Sequence, residues 1–188
     1  MGGQGTRVND LMGSAPSLRG LVCLGLILGS PTLASAGGAP RDGAGLEMRA
    51  SVGPAIGLNG VGVLGDVSGE FIYHTSAWGR GFGVGGAAGG IFRGRMVGGR
   101  VGILLALDRQ LRRAPSLFLS PNVILGYGTW ALERQVFAYF VVELGVPVQI
   151  RLRDSWEIVA RIAHVEAQID AVGASLFLKP SIGFGRRF

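Results

Sequence analysis

The sequence predicts an all-β fold, an eight-stranded antiparallel up-and-down barrel that crosses a membrane with its strands. Three observations carry that reading. Apolar residues recur at every second position through most of the chain, the period of a strand with one apolar and one polar face. Turn signals cut these runs into consecutive hairpins, and the registers they impose keep like faces together. The face opposite the apolar one is built of Gly, Ala and Ser with isolated charges; charged residues make up only 16% of the chain and Gly is 34 of 188. Such a chain is too apolar to be disordered and too poor in charge for an ordinary soluble surface.

Residues 1–36 have the form of a cleaved secretory signal. Arg7 and Arg19 lead into a short apolar run at 21–28, and Ala34-Ser35-Ala36 supplies the small-residue cleavage pattern. The run is too short for a transmembrane helix, which needs about 20 residues. Met12 is an alternative start to Met1. Cys23, the only cysteine, leaves with the signal, so the mature chain carries no thiol, as suits an oxidising compartment. What remains has 16 basic and 11 acidic residues, without a basic run interleaved with aromatics that would mark a nucleic-acid surface. Residues 37–45 are a loose lead, and 46–188 form one β-domain.

The first strand carries Met48, Ala50, Val52, Ile56 and Leu58 on one face and ends at Asn59-Gly60, a pair that tolerates the positive φ of a type I′ turn. Pairing Leu58 with Val61 sets Ile56 against Val63, Val52 against Val67 and Met48 against Phe71. The same register lands Arg49 opposite Glu70 on the polar face. The second strand ends near Thr75, and residues 76–79 turn. The third, 80–92, shows Phe82, Val84, Ala88 and Phe92 against Gly81, Gly83, Gly85, Ala87 and Gly89. After Arg93-Gly94-Arg95, the fourth strand, 96–107, pairs Val97 with Phe92 and sets Arg100 against Gly89, a bulky side chain beside an open position.

Residues 108–115 read as a polar connection, and a fifth strand follows at 116–130 with Leu117, Leu119, Val123, Leu125 and Tyr127 on its apolar face. The sixth and seventh strands form the clearest hairpin. Phe140, Val142, Leu144, Val146, Val148, Ile150 and Leu152 alternate with polar or small residues, and after Arg153-Asp154-Ser155 the pattern resumes with Trp156, Ile158, Ala160 and Ile162. Leu152 opposite Trp156 aligns the apolar faces and places Arg151 opposite Glu157. Residues 164–170 read as the last connection, after which 171–188 form the eighth strand. Pro54, Pro121, Pro147 and Pro180 fall inside strands; each removes a ladder donor, so breaks or bulges are expected there.

An eight-stranded barrel turns its apolar face inward when soluble, in the manner of a lipocalin-like carrier, and outward when it sits in lipid. The outward version fits this chain. Glu47, Arg49, Glu70, Arg100, Glu143, Arg151, Glu157, Arg161, Lys179 and Arg187 share the non-apolar face, where a narrow lumen lets them pair. With the first strand running outward from the periplasm, Tyr73, Trp78, Phe82, Trp156, Phe184 and Phe188 form an inner aromatic girdle. Phe92, Tyr127, Trp130, Phe137 and Phe140 form an outer one.

On this pattern residues 46–188 resemble the small outer-membrane β-barrel family of the OmpA membrane domain and OmpX. The likeness is sharpest at the end of the chain, where Leu176, Leu178, Ile182, Phe184 and Phe188 are similar to the family's signal for the barrel-assembly machinery. Arg186 departs from it, since an apolar or aromatic residue is usual at that place. The resemblance implies an outer-membrane location, with lipid and the assembly machinery as partners, no nucleic acid and no cofactor.

His74-Thr75-Ser76, with Glu70 in phase, resembles the His and Ser of outer-membrane lipid A deacylases, in which a His activates a Ser hydroxyl. The topology puts the pair at the periplasmic end, Glu70 already faces Arg49, and no Asn follows Ser76, so a polar turn is the expected role. His74 and His164, with no cysteine beside them, offer no metal-ligand set, and the glycines at 81–90 precede no helix that would cradle a phosphate. Side chains fill the interior of eight strands, which argues against a general diffusion pore. The expected function is a monomeric, non-enzymatic structural barrel with a closed lumen, in which Arg49 pairs with Glu70 and Arg151 with Glu157. Arg100, Glu143, Arg161 and Lys179 are the further lumen charges. A narrow pore or small-ligand transporter is the first alternative, and a soluble periplasmic carrier the second.

Overall fold

The structure is a computed structural model that describes residues 45–60, 62–76, 80–132, 135–152 and 155–188. The expected signal and lead up to residue 44, Val61 of the first turn and Trp78 of the inner girdle lie outside the described residues. Four long strands come first: β1 (Gly45–Gly57), β2 (Gly62–His74), β3 (Arg80–Arg93) and β4 (Met96–Leu111). Eight shorter ones follow: β5 (Ala114–Leu119), β6 (Asn122–Leu132), β7 (Gln135–Gly145), β8 (Val148–Arg151), β9 (Trp156–Arg161), β10 (His164–Ile169), β11 (Ala174–Leu178) and β12 (Ser181–Arg187).

All twelve belong to one antiparallel sheet, in the order β11-β10-β7-β6-β4-β3-β2-β1-β12-β9-β8-β5, and further pairings join β11 to β1 and β4 to β5. The ladder therefore closes on itself twice. One circuit runs through β1, β2, β3, β4, β6, β7, β10 and β11, and the other through β1, β2, β3, β4, β5, β8, β9 and β12.

The hairpin registers are those that the turn chemistry dictates. Ile56 faces Val63, Arg49 faces Glu70 and Met48 faces Phe71; Phe92 faces Val97 and Arg100 faces Gly89; Arg151 faces Glu157. Positive φ occurs where the turns need it, at Gly60 (82°), Gly94 (57°) and Ser155 (65°).

Element counts and bounds differ from expectation in the second half of the chain. There are twelve strands instead of eight because most of the later runs are split. The fifth expected strand divides into β5 and β6 at Pro121, the sixth into β7 and β8 at Pro147, and the eighth into β11 and β12 at Pro180. Proline supplies no N–H to a ladder, so the sheet must break or reroute its hydrogen bonds there. Backbone bonds bridge the gaps: Leu107 N–H donates to Pro121 O (2.9 Å) and Ser120 N–H to Pro147 O (3.0 Å). At Pro54 the expectation holds on one side only: β1 stays unbroken and keeps its ladder with β2, while its ladder to β11 and β12 is interrupted between the pairs Val52–Ile182 and Ile56–Leu178.

Two segments expected to be connections are strand. Residues 108–115 extend β4 and begin β5 around a tight turn at 112–113. Residues 164–169 form β10, which pairs with β7 and β11. On β9 the buried side chains are Glu157, Val159 and Arg161, whereas on β10 they are His164, Glu166 and Gln168, so the inward parity changes from odd to even. One extra residue at Ile162–Ala163 accounts for the change; such a bulge places two residues where the partner has one.

The apolar faces point outward. Val52, Phe71, Val101, Ile103, Tyr127, Leu144, Ile182 and Phe184 are all exposed, while charged side chains of the same strands are buried. That arrangement is the reverse of what a soluble ligand carrier with an apolar cavity requires. Tyr73, Phe82, Trp156, Phe184 and Phe188 stand exposed toward one end, and Phe92, Tyr127 and Phe137 toward the other. Phe140 packs edge-on against Tyr127 at 5.4 Å between ring centres. Trp130 corrects the outer girdle: it turns inward against Ala55, Leu64, Ile91 and Phe177.

Candidate functional site: the charged interior

Inward positions of every long strand converge on one closed interior, where two connected groups of charges meet. In the first, β1 contributes Glu47, Arg49 and Ser51; β2 contributes Ser68, Glu70 and His74; β4 contributes Asp108, and β9 adds Glu157 and Arg161. The alternation of β1 dictates that Glu47 and Arg49 stack on the same face, and they pair directly. Arg49 also reaches Glu157 Oε1 at 3.4 Å and Glu70 Oε2 at 3.7 Å. Arg161 holds the other Glu70 oxygen at 2.6 Å and donates to Ser51 and Ser68.

His74 bridges two carboxylates. Its Nε2 lies 2.6 Å from Glu47 and its Nδ1 lies 2.8 Å from Asp108, which in turn accepts from the Ser120 hydroxyl at 2.8 Å. Both contacts lie within ion-pair distance, so a protonated ring at this place is flanked by two carboxylates. Glu47, His74 and Asp108 present ligand atoms within 4.8 Å of one another, a grouping that sequence spacing did not reveal. The ring already lies between the two carboxylates with one nitrogen facing each, so a cation bridging the two acids must first turn the ring out.

The second group is built from β2, β4, β7, β10 and the residue after β11. Arg100 binds Asp66 (2.8 Å), Glu143 (2.6 Å) and Glu166 (3.2 Å). Lys179 approaches the same three acids, nearest Glu166 at 2.7 Å. His164 Nε2 lies 2.7 Å from Glu143. Gln168 donates to Glu166 and accepts from the Trp130 indole N–H. Arg100 has room because β3 passes it with Gly89, at whose position a Cβ would sit 2.8 Å from the guanidinium carbon.

Apolar side chains close the space around these charges. Ile72, Leu104, Ala106 and Ile124 pack together on one wall. Phe177, Ile91, Leu64 and Ala55, with Trp130 and Met96 against them, fill the end nearest the turns after β1, β3 and β10. Between the two charge groups lies a cavity of about 10 Å³ lined by Ser68, Glu70, Arg100 and Glu143, room for roughly one water. Buried carboxylates among the described residues are Glu47, Asp66, Glu70, Asp108, Glu143, Glu157 and Glu166. Buried fixed cations are Arg49, Arg100, Arg161, Lys179 and Arg187.

The expected site residues fall as follows. Arg49, Glu70, Arg100, Glu143, Glu157, Arg161 and Lys179 are buried inside, and Arg151 is half-buried at the end of β8. Arg49 and Glu70 meet. Arg151 and Glu157 share a register, and Arg49 lies 3.4 Å from Glu157 over Gly185 of the intervening β12. Phe184 and Phe188 point outward, with Arg186 stacked 5.0 Å from the Phe188 ring and 5.4 Å from that of Trp156. Sequence reasoning missed Asp66, Asp108, His164, Glu166 and Gln168 as interior groups, and His74, expected in a polar turn, is instead the buried last residue of β2. The alternation His164-x-Glu166-x-Gln168 against Val165, Ala167 and Ile169 was the available signal for the last strand.

No protein-family model matches the chain, and no curated protein sequence matches it. Solved structures do. The N-terminal β-barrel domain of Pseudomonas aeruginosa OprF aligns with a TM-score of 0.52 at 8% identity, over 76% of this chain and 97% of that one. Neisserial surface protein A aligns with a TM-score of 0.52 at 9% identity, over 77% of this chain and 97% of that one. Ail, the attachment invasion locus protein of Yersinia pestis, aligns with a TM-score of 0.52 at 12% identity, over 78% of this chain and 99% of that one. In fold, then, this chain is similar to the small outer-membrane β-barrels.

Proposed function

We propose that the chain is a structural outer-membrane barrel whose twelve segments make eight staves around a closed, ion-paired lumen, without catalytic activity. The observation that carries the reading is the division of its surfaces: apolar side chains outside, and buried acids and bases interlocked inside. Lipid solvates the first surface, and mutual pairing replaces water for the second. Each long strand continues as such a stave, and β5 with β6, β7 with β8, β9 with β10, and β11 with β12 make the other four. Export by the N-terminal signal and insertion by the barrel-assembly machinery through Phe184 and Phe188 complete the proposal.

The test is planar-bilayer recording of the refolded chain. A closed lumen gives no steady conductance, whereas a large stepwise conductance makes the protein a pore. The lipid-hydrolase alternative is disfavoured by His74, whose ring is buried with its nitrogens facing Glu47 and Asp108. Lipid hydrolysis by the parent chain that Ser76→Ala abolishes would reinstate it.

A further inference from the structure

The splits in β5/β6, β7/β8 and β9/β10 lie side by side, and they crease the sheet. Outside this crease runs a groove of about 490 Å³, lined by Phe82, Leu105, Leu107, Pro121, Val123 and Val146. Its volume is that of a small-molecule pocket, but its walls are outward apolar side chains, so its occupant is apolar. Two residues further along the same outward face of β4, about 7 Å away at strand rise, stands Arg109, followed by Arg112 and Arg113 in the turn to β5. All three are exposed. None has an ion pair among the described residues, whose acids are buried inside except Asp170 at the opposite end.

An apolar groove that ends beneath three guanidinium groups without an ion pair among the described residues has the polarity of a phospholipid with a charged head. We propose that groove and arginines form one site for an anionic phospholipid, its acyl chain along Leu105 and Leu107 and its phosphate on Arg109, Arg112 and Arg113. The guanidinium fork suits phosphate oxygens. This site rests on the membrane-barrel reading.

The test uses the full chain folded in nanodiscs of phosphatidylcholine containing spin-labelled phosphatidylglycerol or spin-labelled phosphatidylcholine, with the motionally restricted lipid fraction measured for each. The expected result is selectivity for phosphatidylglycerol, roughly fivefold for each arginine engaged. Arg109→Ser/Arg112→Ser/Arg113→Ser brings it to parity, and Val146→Trp, which fills the groove with the arginines intact, lowers it as well. Arg93→Ser/Arg95→Ser, at the opposite end, leaves it unchanged. Parity in a folded parent chain overturns the site, as does selectivity indifferent to Val146→Trp or equally reduced by the Arg93/Arg95 change. Failure of the parent chain to show a boiling-dependent gel mobility in the same discs counts instead against the barrel reading.

Discussion

Arg49 is the residue on which the interior depends most visibly, because three carboxylates, those of Glu47, Glu70 and Glu157, converge on it. Removing one partner of a buried ion pair leaves the other uncompensated, at a cost of about 3–5 kcal/mol. Arg49→Met is therefore expected to lower the urea midpoint of the micelle-folded protein sharply. Arg49→Met/Glu157→Gln should lose less than the sum of the single changes, and strict additivity would mean that the two side chains do not share a dry environment. Glycines make the opposite demand. Gly102 and Gly126 face each other in register, and a Cβ on Gly126 would meet the Val101 carbonyl and sit 2.7 Å from Gly102 Cα, backbone that cannot give way. Gly126→Ala should cost about 1–3 kcal/mol. Gly99→Ala, on the exposed face with its nearest neighbour at 3.9 Å, should be close to neutral.

At the scale of elements, the sequence was most legible where a turn pinned the register. Asn59-Gly60, Arg93-Gly94-Arg95 and the turn before Trp156 each fixed a hairpin, and period two then decided every facing pair. It was least legible where parity changed. The residue inserted at Ile162–Ala163 moves the polar positions from odd to even, so His164, Glu166 and Gln168 read as a loop although they continue the strand inward. Asp108 was hidden for a related reason, because the polar residues after it mask the end of β4. Deleting Ala163 alone tests the bulge: it should turn Val165, Ala167 and Ile169 inward, expose three polar side chains to lipid and abolish folding. A folded deletion variant with unchanged stability would refute the parity change. Hydrogen exchange should likewise find protection at Ser120, Val146 and Lys179, whose N–H groups are bonded across the splits, and continuous protection along the β1–β2 ladder on both sides of Pro54.

For the whole molecule, composition and alternation were enough to reach the fold, and the orientation of the sheet followed from asking which face lipid and which face a narrow lumen would accept. The network inside was not legible to the same degree. Hairpin register shows which residues oppose one another on consecutive strands, but Arg49 meets Glu157 over Gly185 only once β12 pairs with β1, and Arg100 meets Glu166 from three strands away. The protein's charge plan also appears only at this scale. The described acids other than Asp170 lie within, while exposed arginines are left at the ends of the staves.

The most direct test of an apolar exterior around a charged, closed interior is membrane fractionation of the full chain expressed in a Gram-negative host, followed by electrophoresis of unboiled and boiled samples. The account predicts recovery in the outer membrane and a mobility that shifts on boiling, because the closed ladder survives detergent until heat opens it. Recovery in the soluble periplasm, with no shift, would contradict it.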